Sequence, residues 1–129
     1  MVLKNRMKDI VCYCDASFNE SEKTCKAGMI IAGKKHRTVF KNVFTSTHAE
    51  LLALRETLLI INKDEINHFT IKIDDRGIVR RLDDGKSLKG ENREIYRLLM
   101  KDIRRLLKET ESRVIWIKRN KNKADKLTR

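Results

Sequence analysis

The chain has 129 residues, the size of one domain with one hydrophobic core. Its net charge of +12 attracts polyanions, so nucleic acid is the first candidate partner and an anionic membrane surface the second. No apolar run approaches the ~20 residues that span a bilayer, the N-terminus lacks the apolar segment of a signal peptide, and three cysteines cannot form a closed disulfide set. We therefore expect one domain over residues 1–129, a monomer in the cytoplasm, with reduced cysteines and no membrane or disulfide partner.

The hydrophobic pattern predicts five strands and three helices in the order β-β-β-α-β-α-α-β. The strands are predicted over residues 10–14, 26–32, 37–44, 69–73 and 113–117. Residues 15–25 are polar and turn-like, and Gly33-Lys34-Lys35 is predicted to be a hairpin turn. The helices are predicted over residues 48–62, around residues 78–82 and over residues 92–109. Asp75 is predicted to cap the short helix.

Chain connectivity arranges these strands into one sheet. Strands separated by helices favour right-handed parallel crossovers, so the first, fourth and fifth strands should be parallel, with the hairpin strands outside the first. This predicts an α/β fold with a five-stranded mixed sheet in the order 3-2-1-4-5 and helices on both faces. In open sheets of this kind the functional residues lie at the carboxyl ends of the strands.

Four acids fall where that rule points. Asp15 is predicted to end the first strand and Asp74 the fourth, which are neighbours in the sheet. Glu50 lies in the first turn of the first long helix, and Asp125 follows the fifth strand. Carboxylates in one place repel unless a cation neutralises them, and oxygen ligands without His or Cys select Mg²⁺ or Mn²⁺. Two such ions, about 3.5–4 Å apart, can activate water and stabilise the leaving oxygen of a phosphodiester.

Each acid also has a purely structural interpretation. Thr47 precedes Glu50 by three residues, which is the spacing of a capping box. Asp15 and Asp74 fit turns, and Asp125 fits the start of a helix, where the dipole favours an acid. Only their joint placement at one predicted edge of the sheet favours a metal site.

In this order the motifs resemble the ribonuclease H family over nearly the whole chain. The matching segments are C-D-A-S (14–17), A-E-L-L-A-L (49–54), I-D-D (73–75) and K-N-K-A-D-K-L (121–127). The resemblance implies the ribonuclease H-like fold and metal-dependent endonucleolytic hydrolysis of the RNA strand of RNA–DNA hybrids, with two Mg²⁺ or Mn²⁺ ions. It implies four catalytic metal ligands: Asp15, Glu50, Asp74 and Asp125. Glu50 would also place the 2′-hydroxyl of the substrate.

The resemblance and the charge pattern also indicate residues that bind substrate. Ser46 and Thr47 occupy positions where many family members carry Asn contacts to the minor groove. Basic residues near the acids are candidates for phosphate contacts, which would make binding steeply salt-dependent. The complete set is Ser17, Ser46, Thr47, Arg76, Lys118, Arg119, Lys121 and Lys123.

The chain departs from the family pattern near its C-terminus. Lys121 stands where the family carries Asn, with Asn120 and Asn122 on either side. Many members also carry a His in the loop before the last acid, and this loop has none. Two alternative functions follow: a non-catalytic nucleic-acid-binding module, or a nuclease for another duplex on the same fold.

Overall fold

The computed structural model describes residues 10–63 and 68–129. Within these residues it contains five strands, three α-helices and two 3₁₀ turns. In chain order they are β1 (Ile10–Asn19), β2 (Thr24–Ile31), β3 (Lys34–Lys41), α1 (Ser46–Lys63), β4 (Phe69–Ile73), α2 (Arg76–Asp84), α3 (Arg93–Glu109), β5 (Arg113–Trp116) and the 3₁₀ turns Arg119–Lys121 and Asp125–Thr128. No helix within the described residues is long and apolar enough to cross a membrane.

The strands form one mixed sheet in the order β3-β2-β1-β4-β5. β1 pairs antiparallel with β2, and β2 pairs antiparallel with β3. β4 lies between β1 and β5 and is parallel to both. The predicted strand order and mixed sheet are confirmed.

The first hairpin corrects the prediction for residues 15–25. β1 continues to Asn19 and β2 already begins at Thr24, so most of this segment is strand rather than turn. Its polar side chains belong to the alternation of an antiparallel pair, in which every second residue points away from the core. Asp15 therefore does not end β1. It lies just beyond Tyr13↔Lys72, the last β1–β4 pair, while the pairing of β1 with β2 continues.

The second hairpin is also shifted relative to the prediction. β3 spans Lys34–Lys41 rather than residues 37–44. The turn consists of Ala32 (φ 51°) and Gly33 (φ 80°), two positive φ angles in succession as in a two-residue type I′ turn. The lysines after Gly33 thus belong to the strand and not to the turn.

Of the two predicted helix caps, the one at α2 is correct and the one at α1 is wrong. Asp75 caps α2, since its Oδ1 accepts a hydrogen bond of 3.0 Å from the amide of Ile78. At α1 the capping residue is Thr45, whose Oγ1 accepts from the amide of His48 at 3.0 Å. The predicted capping box that starts at Thr47 does not form, because α1 begins one residue before it. Glu50 is thereby free for another contact.

The two long helices pack against one face of the sheet, which we call the inner face. It carries Cys12, Cys14, Ala27, Met29 and Ile71, all at most 1% exposed. The three cysteines are free thiols buried in this core. On the opposite, outer face the 3₁₀ turn Asp125–Thr128 covers Gly28, where an added Cβ would lie 2.6 Å from the Cβ of Leu127. A short 3₁₀ turn thus covers this part of the outer face.

Candidate metal centre and substrate cleft

Three of the four predicted acids meet at the end of the β1–β4 pairing. Each of Asp15, Glu50 and Asp74 offers a carboxylate oxygen, and these oxygens lie within 4.8 Å of one another. Asp15 comes from β1, Asp74 directly follows β4, and Glu50 reaches over from α1. The Oε1 of Glu50 accepts a hydrogen bond of 2.9 Å from the amide of Ala16, which fixes the helix residue against β1.

Burial and mutual repulsion make this cluster a poor place for uncompensated negative charge. Asp15 is 3% exposed, and burial followed by the charge of Asp74 raises its pKa from 3.8 to about 7. Burial followed by the charge of Asp15 raises the pKa of Glu50 from 4.5 to about 9. A bound cation would offset both effects. Because all three donors are carboxylate oxygens, these residues fit a hard divalent ion and could hold one.

Asp125 lies beside this cluster but outside the set of three. Its carboxyl group lies close to that of Asp15, and this contact and the charge of Asp125 further raise the pKa of Asp15. The Oδ2 of Asp125 also accepts a hydrogen bond of 3.0 Å from Nη2 of Arg129. The fourth predicted acid is thus adjacent to the cluster and partly neutralised by its own ion pair.

Asn122 is a site residue that the sequence prediction missed. Its side chain is buried, and its Nδ2 donates to the carbonyl of Cys14 at 2.9 Å and to Oδ2 of Asp74 at 3.0 Å. Its Oδ1 accepts from the amide of Ala124 at 3.1 Å. One side chain therefore ties the C-terminal segment to β1 and holds the Asp74 carboxylate. The sequence did contain a signal for this residue: the family pattern has Asn at the position of Lys121, and Asn122 is the next residue.

A cleft of about 800 Å³ opens over the carboxylates. Four of the eight predicted substrate-binding residues line it: Ser17, Ser46, Arg76 and Arg119. Arg76 stacks over the Trp116 ring, with 4.1 Å between the guanidinium carbon and the ring centroid. The hydroxyl of Ser17 donates to the carbonyl of Thr128 at 2.8 Å, so its proton has a partner within the protein. Arg129, which the sequence analysis did not select, also lines the cleft.

The other predicted substrate-binding residues lie away from this cleft. Lys121 and Lys123 line a neighbouring depression of about 600 Å³, which shares Arg119, Asp125 and Arg129 with the cleft. Thr47 and Lys118 line neither cavity. The lysines of the C-terminal segment thus lie beyond the cleft, whereas Arg119 and Arg129 line it.

Comparison with known proteins places the chain in a family. Residues 13–128 match the model of the family described as reverse transcriptase-like. The chain belongs to this family, and the predicted ribonuclease H resemblance is confirmed. No curated protein matches the chain by sequence.

Solved structures show the same fold at low sequence identity. RNase H1 from the archaeon Halobacterium salinarum superposes with a TM-score of 0.79 at 17% identity, covering 93% of this chain and 94% of that one. The N-terminal RNase H domain of a Mycobacterium tuberculosis protein gives 0.75 at 15% identity, with 93% and 91% covered. LC11-RNase H1, isolated from compost and solved in complex with an RNA/DNA hybrid, gives 0.72 at 21% identity, with 93% and 94% covered. The predicted fold class is thereby confirmed.

Proposed function

We propose that the chain is a ribonuclease H, a metal-dependent endoribonuclease that hydrolyses the RNA strand of RNA–DNA hybrids. The observation that carries this proposal is the cluster of Asp15, Glu50 and Asp74 at the base of a cleft with arginines on its rim. A nucleic-acid-binding module without catalysis would have no use for buried carboxylates that repel phosphate. The complex of LC11-RNase H1 with an RNA/DNA hybrid supports the choice of substrate.

The four acids have separate roles in this proposal. Asp15, Glu50 and Asp74 would bind Mg²⁺ or Mn²⁺, and Asp125 would complete the set from the attacking-water side. When bound, two such ions would supply an activated water and stabilise the leaving oxygen. Glu50 is held by the amide of Ala16, so its free oxygen is available to orient the 2′-hydroxyl that distinguishes RNA from DNA.

The rim of the cleft would hold the sugar–phosphate backbone. Arg76 and Arg119 line the cleft and present guanidinium groups, which suit bidentate phosphate contacts. Ser46 offers a hydroxyl at the N-terminus of α1, where the helix dipole also favours an anion. The remaining predicted residues are Ser17, Thr47, Lys118, Lys121 and Lys123. Ser17 would support the site, and the other four would bind phosphates farther along the duplex.

A cleavage assay with four substrates tests the proposal. Labelled RNA–DNA hybrid, double-stranded RNA, single-stranded RNA and DNA duplex are each incubated with Mg²⁺, with Mn²⁺ or with EDTA. We expect cutting of the hybrid alone, in the RNA strand, with 5′-phosphate ends and only when metal is present. Cutting of double-stranded RNA or DNA instead would indicate the alternative nuclease. Salt-sensitive binding without cutting in either metal would indicate a binding module.

We further propose that residues 1–129 act as one domain and as a monomer in the cytoplasm. The single sheet that runs from Ile10 to Trp116 supports one domain. The three free, buried cysteines fit a reducing compartment. Sedimentation of the purified chain gives the oligomeric state, and a mass of two chains would contradict the monomer.

A further inference from the structure

The outer face of the sheet carries a set of basic side chains that do not line the substrate cleft. Alternation along each strand and the strand register place them on the same side as Gly28 and Tyr13. We call this set the outer basic face; its members from the strands are Lys26, Lys35, Arg37, Lys41, Lys72 and Arg113, joined by Lys123 from the C-terminal segment. All except the half-buried Lys72 are exposed.

At the centre of this face, two ammonium groups lie near one ring. The Nζ atoms of Lys72 and Lys123 lie 5.7 and 5.5 Å from the centroid of Tyr13. The ring attracts each ammonium group modestly, so both charges are held near the centre of the face. An anionic backbone laid across the face would meet both of them.

The strands contribute almost no acid to this face, and Asp125 of the C-terminal turn is paired with Arg129. Among the outward-facing residues of the five described strands, the one acid is Asp15, which is 3% exposed and belongs to the metal centre. Lysines on β3 also discourage edge-to-edge strand pairing, and this accounts for part of the pattern. It does not account for Lys72, because β4 is paired on both sides.

The dimensions of the face fit a nucleic-acid backbone. Lys35 and Lys41 are six residues apart on β3, which corresponds to ~20 Å at ~3.4 Å per residue. A duplex rises ~3.4 Å per base pair, so this edge spans about six phosphates of one strand. A membrane surface fits less well, because membrane-binding faces combine basic residues with large apolar ones, whereas the exposed apolar residues here are Val11 and Val39.

We propose that the outer basic face is a second nucleic-acid-binding surface, which holds the phosphate backbone of a duplex without reading its sequence. It lies on the side of the sheet opposite α1 and α3, and it includes cations that do not line the cleft. The proposal concerns binding alone and stands or falls independently of cleavage.

Two variants with the same loss of charge test the proposal. The first is Lys35→Gln/Arg37→Gln/Lys41→Gln, on the exposed positions of β3. The control is Lys63→Gln/Lys101→Gln/Lys108→Gln, on exposed positions of the helices that cover the inner face. The affinity of each for a fluorescent DNA duplex is measured in EDTA, by anisotropy, between about 50 and 200 mM salt.

We expect the β3 variant to bind the duplex about tenfold more weakly. The slope of log K against log salt should become less steep by about 2–3, since each lost phosphate contact removes ~0.9 from its magnitude. The control should change affinity by less than about twofold. Cleavage of a short hybrid should be unchanged in the β3 variant. Circular dichroism reports whether both variants fold. If the β3 triple variant unfolds, the single variants Lys35→Gln and Lys41→Gln should each make the slope less steep by ~0.9.

Equal weakening by both triple variants would overturn the proposal, because net charge alone would explain it. So would unchanged duplex binding by the β3 variant. Vesicles containing phosphatidylserine provide the last comparison. If the β3 variant loses vesicle binding but keeps duplex binding, the face is a membrane surface and the proposal is wrong.

Discussion

Replacement of Asn122 by Ala tests whether one buried amide organises the metal centre. The substitution removes two donated hydrogen bonds, to Cys14 and Asp74, and one accepted from Ala124. The bond to the carboxylate is worth about 1.5–3 kcal/mol and each neutral bond about 0.5–1.5 kcal/mol. We therefore expect Asn122→Ala to lower the free energy of unfolding by about 3 kcal/mol, measured by urea denaturation.

The same variant should lose activity beyond its loss of stability. Without the Nδ2 donor the Asp74 carboxylate is free to rotate, so hybrid cleavage at a temperature where the variant remains folded should fall by more than about tenfold in kcat. Asn122→Asp keeps the shape but replaces the donor with a charge that repels Asp74, and it should not restore activity. Asn120→Ala, at an exposed position in the 3₁₀ turn Arg119–Lys121 that precedes Asn122, is the matched control. Equal effects of Asn120→Ala and Asn122→Ala would refute the reasoning.

Three further predictions concern the metal and the two segments that frame the site. Mg²⁺ should raise the melting temperature of the parent but not of Asp15→Asn, which lacks a ligand; equal shifts would contradict the metal site. Gly28→Ala should cost about 1–3 kcal/mol in thermal denaturation, because its Cβ would lie 2.6 Å from that of Leu127; a neutral effect would show that the C-terminal turn moves freely. Thr45→Ala should cost about 1 kcal/mol through loss of the α1 cap, whereas Thr47→Ala should cost less.

The topology could be predicted because it follows from a few strong rules. Alternating and continuous apolar runs located all five strands, and right-handed crossovers then allowed one arrangement of β1, β4 and β5. That arrangement alone brought Asp15 and Asp74 together. The boundaries were less accurate because polar residues in a two-stranded ribbon, such as Ser17 and Asn19, have the composition of a turn.

Contacts that depend on tertiary packing could not be predicted from local pattern. Asn122 is 108 residues from Cys14, and no local spacing links the two. The choice between Thr45 and Thr47 as the cap of α1 depends on how the chain leaves β3. That exit is fixed by the amide of the buried Val43, which donates to the carbonyl of Lys23 at 2.9 Å.

The most direct test of the central claim is the rate of hybrid cleavage by Asp74→Asn. The control is Asp83→Asn, which removes an exposed carboxylate from α2 and leaves the same net charge. With Mg²⁺ or Mn²⁺ present, the parent and Asp83→Asn should cut the RNA strand at similar rates. Asp74→Asn should be slower by at least about a hundredfold, since a lost metal ligand costs several kcal/mol of transition-state stabilisation. An Asp74→Asn variant as active as the parent would contradict the account.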